Sequence, residues 1–305
     1  MRISALVAAV AVAPILMGAD KPVHLQPSSP WVVDYAEDSC RLVRHFGTGR
    51  DDTIFALESE APGAVDMIVV GRPLASGSGE AAAQFLPVQS KPMDGTLNQT
   101  VDRAIPSVLI NKVRLLPDDL VAADEERQAQ RKAHPEVRPP AEPLAEQAAR
   151  RAKRHEFASN VTSVQVVTRR DRPIILDTGS LGDAIDAFDK CSRDSLRDWG
   201  VDPDLEDKIV RGAWAPYPWK WFSESDYPRD MLITGHQSVV KVRLLVDAAG
   251  RVTKCTSLSH FSDPEFNRIT CAKFTERARF EPAELADGTK VPSYYVNTVV
   301  FRIAH

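Results

Sequence analysis

The sequence predicts an α+β protein: an N-terminal, mostly antiparallel β module with one helix and a helical insertion, followed by a C-terminal β-β-α-β unit. Three observations carry this. Short apolar-polar alternations separated by Gly and Pro turns fill most of the chain up to residue 115. Segment 117–157 is instead dense in Ala, Glu, Gln, Arg and Lys. Near the end, "VVKVRLLVDAAGRVTKC" (239–255) alternates, turns at a Gly and alternates again.

Taken in order, the chain opens on "MRISALVAAVAVAPILMGADKP", one Arg before an apolar run broken by Pro14 and closed by Gly18 and Ala19. The run is short for a membrane span, so 1–19 reads as a secretory signal peptide, with an uncleaved anchor as the alternative. Export to the periplasm follows, with membrane association only if the segment is retained. In such an oxidising compartment Cys40, Cys191, Cys255 and Cys271 are expected as disulfides. Four cysteines allow three pairings; their neighbourhoods favour Cys255 with Cys271 and Cys40 with Cys191. No C-x-x-C and no His at ligand spacing accompanies them, so no metal is expected.

Residues 23–200 form the first module. "WVVDYAEDSCRLVRHFG" reads as two strands about a polar turn, and "DTIFALES" with "VDMIVVGRP" as a pair about Pro62-Gly63. "ASGSGE" (75–80) reads as a loop and "SVLINKVRL" (107–115) as a strand. Within the insertion, "HPEVRPPAEP" (134–143) separates two exposed helices, and a solvated excursion is expected. "RRAKRH" (150–155) reads as a solvated helix face. Strands resume at "NVTSVQVV" and "RPIILDT". In the helix that follows, Ile185, Phe188, Ser192, Leu196 and Trp199 lie three or four apart, Cys191 falls near that stripe and Gly200 is the stop. Residues 201–226, with Trp214, Trp219 and Trp221 among prolines, read as a packed strap.

With 305 residues, a formal net charge of −4 and both signs interspersed, the chain has no basic stripe, which excludes an electrostatic footprint for nucleic acid. The seven histidines show no paired spacing, and no cofactor motif is present. "IILDTGS" (174–180) has the form of an aspartic-protease loop, which would make Asp177 the acid of a secreted hydrolase. The helix after it and the absence of a matching downstream element argue for Ser180 or Asp183 as a helix cap instead. No catalytic constellation is expected.

In the last module (227–305), Val240, Val242, Leu244 and Val246 point to one face of a strand, and Lys241, Arg243 and Asp247 to the other. "SDPEF" starts a helix, with Ser262 as N-cap and Glu265 completing a capping box. Phe266, Ile269 and Phe274 are its apolar side, and "YYVNTVVFRI" is the last strand. "YP" (227–228), Gly235, "VVKVRLLVDAAGRV", "ERARFEPA", "DG" (287–288) and "YVNTVVFRI" occur in an order that resembles the C-terminal domain of TonB, the periplasmic end of an energy transducer. The resemblance covers about 218–305. It implies strand addition: the last strand is an edge whose free N–H and C=O groups pair an extended peptide of an outer-membrane receptor or other envelope protein. By resemblance the peptide site runs along Tyr294, Val296, Asn297, Thr298 and Val300; the alternative is that these side chains pack the sheet and another segment covers the edge. TonB proper has an uncleaved membrane helix and a long Pro-rich spacer. Here a folded-looking β module stands in their place, and the family's second Gly before the first strand is replaced near Ser238.

Overall fold

The computed structural model describes residues 21–74, 77–99, 105–168, 172–258 and 263–303; the expected signal segment lies outside them. The α+β class holds. The strands of the first module are β1 (Val23–Leu25), β2 (Val32–Tyr35), β3 (Cys40–Phe46), β4 (Thr53–Ala61), β5 (Ala64–Gly71), β6 (Gly79–Leu86), β7 (Met93–Gln99), β8 (Pro106–Ile110), β9 (Ser163–Thr168) and β10 (Ile174–Leu176). They form one sheet in the order β1-β10-β9-β6-β7-β8-β5-β4-β3-β2. Every described pairing in it is antiparallel except β1 with β10. The sheet curls until the chain after β1 meets β3: the Ser28 N–H donates to His45 O at 2.9 Å and the Gly47 N–H to Gln26 O at 2.8 Å. Alternate side chains such as Leu42, Phe55, Leu57, Met67, Phe85 and Ile110 are fully buried inside the curl.

Strands β6 and β7 fall where the sequence showed no alternation strong enough to predict them. Gly79 and Glu80, expected in a loop, begin β6. The strand expected over 107–115 stops at Ile110, because Lys112 takes a positive φ of 58° and turns the chain.

Helix α1 (Asp118–Ala133) buries no side chain, and α2 (Leu144–Asn160) buries only Phe157 and Ala158. These are the two exposed helices expected, but the bend between them is not a free excursion. The Glu142 N–H donates to Val210 O at 2.8 Å, and Arg138 Nη1 to Glu284 Oε1 at 2.6 Å, tying the bend to the last module. The basic run in α2 is also partly docked: Arg154 makes a two-pronged contact with Asp189, both bonds at 2.9 Å.

Helix α3 (Gly182–Trp199) lies over β2, β3 and β4 and buries Ile185, Phe188, Ser192, Leu196 and Trp199, the predicted stripe. Its N-cap is Leu181 rather than Ser180 or Asp183; Ser180 Oγ reaches only the Gly182 N–H, at 3.4 Å. Gly200 ends it at φ 90°. Cys191 on α3 is bonded to Cys40 on β3, and in the last module Cys255 to Cys271.

Beyond α4 (Pro203–Glu206), the strap is built into the last module. Strand β11 (Ile209–Arg211) pairs with β14 (Ala283–Leu285), which pairs with β15 (Lys290–Val291). Trp221 stacks edge-on against Phe274 at 5.8 Å, whereas Trp219 remains 59% exposed, so only part of the Trp cluster straps a core. Asp226 fastens the strap: it accepts from Arg277 at 2.7 and 3.0 Å and from the Ser223 N–H at 2.9 Å. Burial opposes its charge, but these donors hold its carboxyl well below the usual carboxylate range.

The short helix α5 (Arg229–Ile233) leads into the sheet β13-β12-β16, made of β12 (Ser238–Val246), β13 (Val252–Ser257) and β16 (Ser293–Phe301). Helix α6 (Pro264–Arg277) covers one face of it, packing Phe266 and Phe274 on Val240, Val242, Leu244 and Val246. Its N-cap is Asp263, which accepts from the Glu265 N–H; Ser262, expected there, lies outside the described residues. The β12–β13 turn requires glycine: Gly250 has φ +77°, and a Cβ on it would stand 1.9 Å from Phe280 O.

Candidate peptide-binding edge

Strand β16 pairs with β12 antiparallel over its whole length, and among the described residues no third strand pairs with its other side. The Thr298 N–H donates to its neighbour's Asn297 Oδ1 at 2.7 Å, so this amide points away from β12. Strand alternation turns the backbone groups of Tyr294, Val296 and Val300 the same way. The edge is therefore a row of backbone donors and acceptors aimed outward.

Two faces flank that row. Tyr295, Val299 and Phe301 point into the core under α6, with Phe301 4.8 Å from Phe266 and Tyr295 4.9 Å from Phe280 between ring centroids. Tyr294, Val296, Thr298 and Val300 stand opposite Leu245, Arg243, Lys241 and Val239 on the other face. Of the five residues expected at the site, four thus share one face; Asn297 stands opposite Val242 on the core side and reaches the edge only through its side-chain oxygen.

The other face of β12, that of Lys241 and Arg243, is where the first module docks. Arg243 is 3% exposed: its Nη2 donates to Asp38 Oδ1 at 2.9 Å, and its guanidinium lies 3.5 Å over the Trp199 ring. Burial pulls its pKa below the usual arginine range, and Asp38 offsets only part of that. Lys241 pairs with Glu60 and, at 3.4 Å, with Asp66. Trp199 meets Tyr294 edge-on at 6.3 Å, and Leu196 and Val201 complete that contact with Leu245. The Tyr294 end of β16 is sheltered in this way, while Thr298 is exposed and Val239 and Val300 are 58% and 52% exposed. The sequence showed Trp199, Arg243 and Lys241 but held no signal that they meet.

Glu206 on α4 adds a buried carboxyl near this contact; its pKa is pushed up to about 7 by burial and then by Asp207, and that of Tyr294 is raised by burial and, secondarily, by Glu206. Because the folded chain holds this proton more tightly than an unfolded one, stability falls as pH rises from about 4.5 to 7. Glu206→Gln is expected to remove that slope and to be about 3 kcal/mol more stable than the parent at pH 8. Urea unfolding at pH 5 and pH 8 checks this; equal slopes in parent and variant would contradict it.

Asp177 sits just after β10. His24 Nδ1 lies 3.3 Å from both its oxygens, and Gln26 Nε2 donates to it. Neither described partner is a carboxylate, so nothing here forms the proton-sharing pair of an aspartic protease. Among the described residues no group of three or more His, Cys, Asp or Glu is placed to hold a metal ion, and no helix is long and apolar enough to cross a membrane.

Residues 223–303 match the family model of the Gram-negative bacterial TonB protein C-terminal. The match begins in the strap at Ser223 and takes in both strands of the hairpin, α6 and β16. This segment is a TonB-type, envelope-associated protein-interaction module. No curated protein matches the chain. The curled sheet and its helical insertion lie outside the TonB match, yet the curled sheet, through Asp38, and α3, through Trp199, pack on the face of the TonB-type sheet opposite α6, while the insertion reaches Val210 and Glu284 instead.

Proposed function

We propose that this is an exported periplasmic protein whose TonB-type domain captures an extended segment of a partner polypeptide by adding it as a fourth strand beside β16. The observation that carries this is the unpaired side of β16 within a domain of that family. Main-chain hydrogen bonds supply affinity, and side chains alternating along the added strand supply selection. The partner is a peptide of an outer-membrane receptor or another envelope protein. Near Val239 and Val300 it meets exposed apolar surface; near Tyr294 it meets the wall formed by Trp199. The curled sheet acts as a rigid mount, and no energy-transducing role is assigned to this chain.

Thr298→Pro tests the reading. Proline removes the outward N–H and places a ring on the edge, while the bonds to β12 are made by other residues. Peptide affinity should fall about tenfold or more with little change in thermal unfolding. Unchanged affinity for a peptide that binds the parent would contradict strand addition at this edge.

A further inference from the structure

Where the end of α2 lies beside the start of α3, three side chains meet that the strand-addition reading does not use. Asp186 on α3 holds the ring of His155 on α2, with both carboxylate oxygens 3.0 Å from Nδ1. The other ring nitrogen, Nε2, lies 3.3 Å from the hydroxyl oxygen of Ser159, one turn further along α2. An ionised carboxylate only accepts, so the proton sits on Nδ1 and the lone pair of Nε2 faces Ser159. Nucleophile, base and the acid that orients the base thus stand in the order of a serine hydrolase.

Neighbouring contacts hold the three in place. Arg154 grips Asp189 through two bonds of 2.9 Å, fixing α2 against α3. The Leu181 N–H donates to Ala158 O at 3.0 Å, tying the start of α3 to the residue before Ser159. Gly182 makes room: a Cβ there would overlap Ser159 Oγ and stand 3.5 Å from His155 Cε1. Gly182 is also the first residue of α3, so Ser159 stands beside the N-terminus of an 18-residue helix. The N–H groups of that first turn have no intrahelical acceptor, and the dipole favours negative charge there. An ester oxygen acquires such charge when its carbonyl is attacked.

We propose that Ser159 and His155, with Asp186 as the positioning residue, hydrolyse esters of short carboxylic acids. Ser159 Oγ bonds the ester carbonyl carbon while its proton passes to His155 Nε2. The carbon–oxygen bond to the alcohol breaks, and His155 hands that proton to the departing alkoxide. Water then attacks the acyl-serine and gives a proton to Nε2; Ser159 Oγ leaves with it, and the acid is released. The side chains of His155 and Asp186 are 49% and 58% exposed, and Ser159 is half-buried. Such an open site gives a long acyl chain no apolar wall to lie on, so the acyl group is compact, of the size of acetyl. Trp199, at the contact with Tyr294, is roughly 25 Å further along α3 by helix rise. The site is therefore separate from the β16 edge, and the two proposals stand or fall independently.

The test treats the oxidised full chain with an alkyl fluorophosphonate and locates the adduct by peptide mass spectrometry. A phosphonyl group on Ser159 is expected, and His155→Gln should abolish it. Hydrolysis of 4-nitrophenyl acetate, followed in parallel, should fall about a hundredfold in Ser159→Ala and in His155→Gln. Asp186→Glu, which keeps a carboxylate at the ring, should retain more activity than Asp186→Asn. All four positions changed are at the surface of folded helices, and circular dichroism checks that each variant keeps its helix content. No adduct on Ser159, labelling that survives His155→Gln, hydrolysis unchanged in Ser159→Ala, or equal activity in the two Asp186 variants would each overturn the proposal.

Discussion

Replacing Cys40 and Cys191 together by alanine is expected to cost about 5 kcal/mol of stability, the largest effect of any change considered. The bridge joins positions 151 residues apart, so it closes nearly the whole curled sheet into one loop in the unfolded chain. The loss of chain entropy scales with the logarithm of that length. Both sulfurs are buried, at 1% and 0% exposure, and the bond pins α3 to β3. The second bridge spans 16 residues and should contribute about 3 kcal/mol by the same relation. Urea unfolding of the two double-alanine variants, compared with the parent, checks both the size and the order. A cost below 1 kcal/mol for the long bridge, or a larger cost for the short one, would contradict this.

Arg243→Ala should cost about 3–5 kcal/mol, the range for removing one partner of a buried ion pair. The substitution strands Asp38, leaves the Asp38 and Glu60 carbonyl oxygens without their donor at 3.3 Å, and opens a void over the Trp199 ring. The damage should be local. The core beneath α6 is on the opposite face of β12, so it keeps Phe266, Phe274 and their valine partners. Hydrogen exchange should therefore accelerate in α4 and around Trp199 while the amides of β12 and β13 stay protected. Exchange unchanged around Trp199, or a loss under 1 kcal/mol, would show that the docking does not depend on this side chain.

What the sequence revealed follows physical reach. The 239–255 hairpin was legible because alternation and a turn glycine are local, and the α3 stripe because a helix repeats every few residues. The partners of Cys255 and Cys40 were legible from their neighbourhoods. The weakly patterned β6 and β7 were not, since "GEAAAQFL" and "MDGTLNQ" owe their strand state to neighbours on both sides. Lys241 and Arg243 read only as the polar face of the strand, because alternation says which side chains share a face, not what covers it. Only Asp38, Glu60 and Trp199, distant in sequence, reveal that the face is buried. The open edge of β16 was legible through resemblance alone: no pattern within "YYVNTVVFRI" distinguishes an edge strand from a central one.

The most direct test of strand addition is an amide NMR titration of the isotope-labelled, oxidised full chain with extended peptides taken from TonB-dependent receptors. Saturable shifts centred on Tyr294, Val296, Thr298 and Val300, with these amides gaining exchange protection and β13 unmoved, are the predicted result. Binding that shifts other surfaces and leaves β16 untouched, or no shift at millimolar peptide with the chain folded, would contradict it.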